Sequence, residues 1–356
     1  MLQAQQKVFR KFYYPVMPVD RLKDGPKPFT LLGENIVLWL DENNRPAAAV
    51  DRCCHRTAKL SKGWIHNGCI VCPYHGWTFD RTGKCTWFPQ AELENPPKVY
   101  RIKGYHCEER YGYAWVALDD PIADIPVFRR SDEPGFRKID QLYQVIRTTG
   151  LRLMENSFDN AHFAFVHRET FGDIHDPRPA ESTIVPNETG FDMYYEVKVH
   201  NKLNERYKAI NVETDYTVRK VHSRWFIPFV RQTDITYPTG LIHSICTCAT
   251  PIDDDTCMLV QFVYRNDTEE DVPAETVIAF DKTVVTEDLE ILETTESNIP
   301  LDLSLRMETH MQADKPGILM RKMLLKLFAE HGEKEVLPQF QPPQVYKVEV
   351  QRMERV

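Results

Sequence analysis

The rhythm of hydrophobic and polar positions changes part-way along the chain. Up to about residue 120, apolar residues come in short runs such as NIVLWL, AAAVD, CIVCPY and YAWVAL. These runs are rich in β-branched and aromatic residues and are parted by Gly, Pro, Asn and Asp, which predicts strands and turns. No helical period there outlasts two turns, so the first part reads as all-β. The proline-punctuated stretch DDPIADIPVFRRSDEPGF follows, poor in large apolar residues, and reads as a connection between domains. It sets a boundary near residue 125, dividing 1–125 from 126–356.

Beyond it both rhythms occur. Residues 150–166 carry a helical mix, and 190–265 alternate like the strands of a broad antiparallel sheet (FDMYYEVKVH, LIHSICTCAT, CMLVQFVYRN). A 3.6-residue apolar period runs through 274–297, and ILMRKMLLKLFAEH predicts a further helix. The last twenty residues, with QPPQVYKVEV, read as an extended tail. Strands gathered together with helices set apart predict an α+β second domain. There is no internal repeat and no low-complexity tract.

Composition narrows the class. A chain of 356 residues with 42% hydrophobic and 27% charged residues suits an ordinary globular protein of two domains. The net charge of −8 disfavours nucleic acid as a partner. The longest apolar run near the start, Ile36 to Leu40, is far below the roughly 18 residues that cross a bilayer. The opening MLQAQQKVFRKFYYP has no apolar signal-peptide core, so a cytoplasmic location and no membrane are expected. Nine cysteines, an odd number without disulfide-framework spacing, read as buried thiols outside positions 53 and 72.

Those two positions belong to paired motifs, Cys53-x-His55 and Cys72-x-x-His75, with 16 residues between His55 and Cys72. Each pair offers one thiolate and one imidazole. A zinc finger usually draws both cysteines from one pair and both histidines from the other. Two mixed pairs can instead grip a binuclear cluster, both sulfurs on one iron and both imidazoles on the other, which is Rieske [2Fe–2S] ligation. Neutral imidazoles in place of two thiolates raise the reduction potential, so such a cluster accepts electrons from a flavin or ferredoxin. Trp64, Tyr74 and Trp77 could cover it, or simply pack a small β domain. The run C-x-H…C-P-Y-H-G-W resembles the cluster-binding motif of the Rieske non-haem iron oxygenases. Cytochrome bc-type Rieske proteins add a disulfide cysteine after each pair, whereas here Arg56 and Gly76-Trp77 follow the histidines. Cys54 fills the variable slot and is read as non-ligating.

The segment LRLMENSFDNAHFAFVHRETFGD offers a destination for the electron. Asp159 and His162 would share a helix face, but His167 lies five residues on, about 140° round an ideal helix. Both imidazoles reach one metal only if the helix breaks between them, which predicts an irregular turn over 163–166. Two histidines and a carboxylate make the facial triad of non-haem Fe(II) oxygenases. In AFDKTVVTEDLEILETT, Asp288 has Val284, Val285, Ile291 and Leu292 around it, so a metal would satisfy a carboxylate in an apolar stripe. Asp281 is its rival on spacing alone. The resemblance of E-D-x-x-I-L-E over 287–293 to the family pattern favours Asp288, giving His162, His167 and Asp288 as iron ligands.

Asn156, Asp159, His162 and His167 are similar to the family motif N-x-x-D-x-x-H-x4-H. That resemblance implies that Asp159 is a bridge, bonded to His162 and to His75 of a neighbouring subunit, and that Asn156 sits near the iron. It further implies a head-to-tail homotrimer. The remaining histidines, His66, His106, His175, His200, His222, His243, His310 and His331, lack partners at ligand spacing and read as structural.

The resemblance covers nearly the whole chain and is closest to vanillate and dicamba O-demethylases and phthalate-type enzymes. It implies an N-terminal Rieske domain and a helix-grip (START-like) catalytic domain, an antiparallel sheet flanked by helices. The implied role is the terminal oxygenase, using O2 and NAD(P)H electrons from a separate flavin and iron–sulfur reductase or a ferredoxin. Hydroxylation or O-/N-demethylation of a small aromatic or heterocyclic substrate is expected. The alternatives are a cis-dihydroxylating ring dioxygenase and an electron-transfer protein without oxygenase chemistry. Pocket walls are expected from residues 203–210, 221–231 and 241–248. Arg219, Arg224 and Arg231 in this region are ordinarily explained as surface strand charges, against recognition of a carboxylate or phosphate.

Overall fold

The computed structural model describes residues 1–90, 96–201 and 215–338, so the 203–210 wall and the C-terminal tail lie outside the described residues. The first unit is all antiparallel sheet. Strands β1 (Tyr14–Pro18), β2 (Lys27–Leu31), β3 (Glu34–Leu40), β4 (Pro46–Val50), β9 (Gly104–Arg110) and β10 (Tyr113–Ala117) form a sheet in the order β1-β10-β9-β4-β3-β2. Between β4 and β9 the chain makes a second sheet of four short strands in sequence order: β5 (Trp64–His66), β6 (Cys69–Val71), β7 (Thr78–Phe79) and β8 (Cys85–Trp87).

The alternation in β3 explains how these sheets sit. Ile36 and Leu38 face the main core, while Val37 and Trp39 face the core under the short strands, so both faces of this strand are buried. Asn67-Gly68 closes the β5–β6 hairpin with both residues at positive φ. At Gly68 a Cβ would lie 2.1 Å from the Glu42 backbone nitrogen, so only glycine fits.

The second unit is a seven-stranded antiparallel sheet. It contains β11 (Arg137–Ile146), β12 (Ser182–Asn187), β13 (Gly190–His200), β14 (Tyr216–Phe226), β15 (Val230–Thr236), β16 (Ile242–Pro251) and β17 (Cys257–Arg265). Their order is β11-β17-β16-β15-β14-β13-β12. Every residue of β17, CMLVQFVYR, is buried, and the strand lies between β11 and β16. Helices α1 (Gly150–Phe158) and α3 (Ala274–Leu292) pack on the sheet, α3 on β11 and α1 on β16, and α4 (Lys315–Glu330) packs on α1. This is the antiparallel sheet with flanking helices that the sequence implies.

Two features were hidden from the sequence. The polar start of the chain packs into the second unit: Phe9 meets Phe229 and Phe328 edge to face, and Gly150 N donates to Gln3 Oε1 at 3.0 Å. The expected connection is no loose tether either, because Ile125 and Phe128 are buried in one core with Phe226 and Val230.

Candidate metal centres

The two Cys/His loops share one backbone design. In the first, Cys53 N donates to Ala58 O (2.8 Å) and Thr57 N donates to Cys53 O (3.0 Å). In the second, Cys72 N donates to Trp77 O (2.8 Å) and Gly76 N donates to Cys72 O (3.0 Å). In both, the fourth residue after the cysteine has a left-handed backbone, Thr57 at φ 59° and Gly76 at φ 76°. Asp51 accepts from Ser61 N and Ser61 Oγ, both at 2.7 Å, and ties down the flank of the first loop.

The candidate ligands of the two loops meet in like pairs, thiol with thiol and imidazole with imidazole. Cys53 and Cys72 are buried and free, and burial together with the neighbouring Cys72 thiol pushes Cys53 up to about 12. A thiol raised in this way is a poor thiolate until a metal displaces its proton. The His55 and His75 rings lie 4.6 Å apart, and His55 Nδ1 is buried without a hydrogen-bond partner among the described residues. Burial, then His75 and Arg56, lower the His55 pKa, which keeps the imidazole neutral as a metal ligand requires. An orphaned ring nitrogen beside a second histidine, and two buried thiols carried by the same two loops, fit a Rieske cluster. Trp77 covers it, stacked on His55 at 4.7 Å, and Tyr74 packs on His75 at 3.9 Å while remaining exposed. Trp64 is also exposed, without a ring contact to these histidines among the described residues. Cys54 is exposed, as a non-ligand would be.

The second group sits where α1 gives out. The break falls earlier than the spacing predicts: α1 ends at Phe158, Asp159 is extended, and Phe163–Val166 (α2) is itself a turn of helix. Residues 159–162 therefore turn the chain, with Ala161 N donating to Asp159 Oδ1 at 2.7 Å, an Asx turn that competes with helix. The consequence is the one the spacing requires. His162 Nε2 and His167 Nε2 are 3.2 Å apart, and each lies 3.3 Å from Asp288 Oδ1. Such a triangle is close to the roughly 3 Å edge that ~2.1 Å metal bonds make at right angles.

Each imidazole is held from behind. His162 Nδ1 lies 3.3 Å from Asp159 Oδ2, and His167 Nδ1 lies 2.9 Å from Glu287 Oε2, so both Nε2 atoms are left to face inward. Asn156 Nδ2 donates to Asp288 Oδ1 at 3.3 Å. Burial pulls the His162 imidazole down, but Asp159 and Asp288 outweigh it and raise it to about 9. The two imidazoles also hold Asp288 well below the usual carboxylate range, against its burial. Among the described residues this trio is the one group of three or more His, Cys, Asp or Glu side chains whose ligand atoms all lie within 4.8 Å of one another. Three inward ligand atoms on one side fit a facially bound iron.

Sequence reasoning passed over Glu287. It orients His167 and also accepts from Thr170 Oγ1 at 2.8 Å. The signal was available, since Glu287 is the neighbour of Asp288, but its partner is 120 residues away in sequence. Gly172 is a second omission: its N–H donates to His167 O at 2.7 Å, and a Cβ there would lie 2.1 Å from Phe163 O. Asp281, the rival ligand, is buried two turns earlier on α3 and is taken up by Gln141, with His243 Nε2 3.1 Å away.

The trio lines a largely apolar cavity of about 140 Å³, walled by residues such as Leu153, Val221, Ile245, Leu259 and Phe280. Val221, Arg231, Ile245 and Thr247 come from the two described segments expected to wall it. His243, read from sequence as structural, faces it as well. The arginines divide. Arg224 is half-buried and reaches Thr189, whereas Arg219 is 4% exposed and is no surface charge.

Comparison with known proteins follows the same division. A Rieske [2Fe-2S] domain model matches residues 12–99, and a vanillate O-demethylase oxygenase C-terminal domain model matches residues 146–330. The methylxanthine N1-demethylase NdmA of Pseudomonas putida is 29% identical over 94% of this chain and 93% of its own. The methylxanthine N3-demethylase NdmB of the same organism is 29% identical over 90% of each. The structure of NdmA with caffeine superposes with a TM-score of 0.80 at 26% identity, covering 95% of this chain and 99% of that one. Dicamba monooxygenase bound to 3,6-dichlorosalicylic acid shares the fold, with a TM-score of 0.80 at 20% identity over 92% of this chain and 99% of its own.

Proposed function

The chain belongs to the Rieske non-haem iron oxygenases, and from that premise we propose that it oxidatively demethylates a small aromatic or heterocyclic substrate as a terminal oxygenase. Members of the family carry a Rieske cluster and a mononuclear iron, use O2 and draw electrons from a separate reductase. In our reading Cys53, His55, Cys72 and His75 hold the cluster, and His162, His167 and Asp288 hold the iron. The observation that carries this reading is the triangle of ligand atoms lining an apolar cavity, each imidazole backed by a carboxylate. We place the division between cluster-bearing and catalytic domains near residue 125, and the protein in the cytoplasm; no helix among the described residues is long and apolar enough to cross a membrane.

When bound, the cluster passes single electrons and the iron activates O2. The protein's part is positioning. Asp159 and Glu287 fix which ring nitrogen of each histidine carries the proton, and Asn156 steadies Asp288. Phe171 stacks on His167 at 4.6 Å and, with the aliphatic wall, keeps the cavity dry. Asp159 has a further role in this reading. It is about one-third exposed and lies in a second, open cleft beside Arg152 and Glu308. A neighbouring subunit's His75, whose ring is partly exposed and makes no hydrogen bond among the described residues, would complete a cluster–Asp159–iron route in a head-to-tail trimer.

Demethylation balances as R–X–CH3 + O2 + 2 electrons + 2 protons giving R–XH, formaldehyde and water, where X is O or N. Holoenzyme with a surrogate NADH-dependent reductase should release one formaldehyde per O2 consumed from a methoxy or N-methyl aromatic. A hydroxylated or cis-diol product without formaldehyde would overturn the demethylase reading.

A further inference from the structure

Arg219 on β14 is 96% buried by the measure of its 4% exposure, yet its Nε and Nη2 have no hydrogen-bond partner among the described residues. It lines the same cavity as the three ligand atoms. Its guanidinium lies over the rings of Phe171 and Tyr237, with the central carbon 5.5 and 5.1 Å from their centroids. Ring faces stabilise the cation but leave its N–H edge unspent. Asp281, which lines the same cavity, accepts from Gln141 and lies 3.1 Å from His243 Nε2, and it makes no ion pair with Arg219 among the described residues. Arg231 on β15 lines the cavity too; it donates to Ser157 O (3.3 Å) and Thr247 Oγ1 (3.1 Å), while its Nε has no partner among the described residues.

A buried, underbonded guanidinium is costly in a protein interior unless something compensates it. The wall around it is apolar enough to hold a ring, and about 140 Å³ is the size of cavity that accommodates one benzene-sized ring. We propose that Arg219 is the anchor for a substrate carboxylate, so that the oxygenase acts on a single-ring aromatic acid held with its acid group on Arg219 and its methyl-bearing end toward the His162–His167–Asp288 trio. The inference rests on reading this cavity as the substrate pocket. The planar N–H fork matches the two oxygens of a carboxylate, and the Phe171 ring neighbours both the Arg219 guanidinium and His167.

The test compares 4-methoxybenzoate with its neutral isostere 4-methoxybenzamide by equilibrium binding to holoenzyme and to the Arg219→Gln and Arg219→Lys variants. Iron content and the reduced-cluster EPR signal are measured in parallel, so that failure of the family reading shows up separately from failure of the anchor. Wild type should bind the acid at least about tenfold more tightly than the amide. Arg219→Gln should lose that preference with both metals retained, and Arg219→Lys, which keeps charge but not the fork, should keep part of it. Equal binding of acid and amide by wild type would overturn the proposal. So would an undiminished preference in either variant, and if the Gln variant fails to fold the Lys variant decides. A purely structural arginine would change stability without changing the acid-to-amide ratio.

Discussion

In the two Cys/His loops neither histidine ring makes a hydrogen bond among the described residues, whereas each imidazole of the helix-held trio is backed by a carboxylate. The loops take their shape from backbone bonds that each thiol-bearing residue makes to its own turn. The trio takes its shape from side chains that α1, the turn after it and α3 bring together across the sequence. The difference follows from what each metal asks. A cluster is gripped by four ligands on two shaped loops, and the carboxylate proposed to reach one of its imidazoles, Asp159, would come from a neighbouring subunit. An iron bound by only three protein groups needs those groups fixed in direction, and carboxylates behind the histidines fix them. The first centre is a local device and the second a tertiary one.

The sharpest break of this contrast is at Asp159, the group proposed to join the two centres. Asp159→Asn should retain cluster and iron but slow cluster reoxidation in a single turnover by orders of magnitude, since the ligands stay while the charged bridge goes. Reoxidation at the wild-type rate would remove the bridging role. Next in size is Glu287→Gln, expected to weaken Fe(II) binding by about 10- to 100-fold in a metal titration, with the cluster's EPR signal unchanged.

Much of this was legible in the sequence where ligand type and local spacing carry it. The two Cys/His pairs announce a cluster through mixed ligand type, and Asp288 stands out as an acid in an apolar stripe. The position of the helix break was misjudged because the Asx turn at Asp159, a side-chain-to-backbone bond, ends α1 before the spacing conflict between His162 and His167 arises. Glu287 and Arg219 escaped for a shared reason: each has a meaning given only by residues distant in sequence. Arg219 looks like any strand arginine until β13, β15 and the cavity close around it.

A smaller effect tests the likeness of the two loops to each other. Gly76→Ala should cost roughly 1–2 kcal/mol from its left-handed backbone alone, with Pro89 Cγ 3.1 Å from the new methyl adding to it. Thermal unfolding should show the loss, while Thr57→Gly at the matching position should be close to neutral, relief of strain offsetting chain entropy.

The smallest effect concerns acid and the support of α1. Arg321 on α4 is clamped by Glu155 on α1 and by Glu308, which also meets Arg152. Burial alone would raise the Glu308 carboxyl, but Arg152 and Arg321 outweigh it and hold it below the ordinary carboxylate range. A depressed folded pKa contributes stability that is present above the unfolded value near 4.5 and lost as pH falls through the folded value. Between pH 6 and pH 4 wild type should therefore lose more thermal stability than Glu308→Gln; parallel losses would deny the clamp its role.

Iron per chain, counted together with the EPR signal, tests the separation of the two centres most directly. Wild type should hold about three irons and show a reduced Rieske signal. His162→Ala should fall to about two irons with that signal intact, and Cys72→Ala should lose the signal while keeping its mononuclear iron. Zinc in place of iron, or loss of the cluster in His162→Ala, would contradict the account.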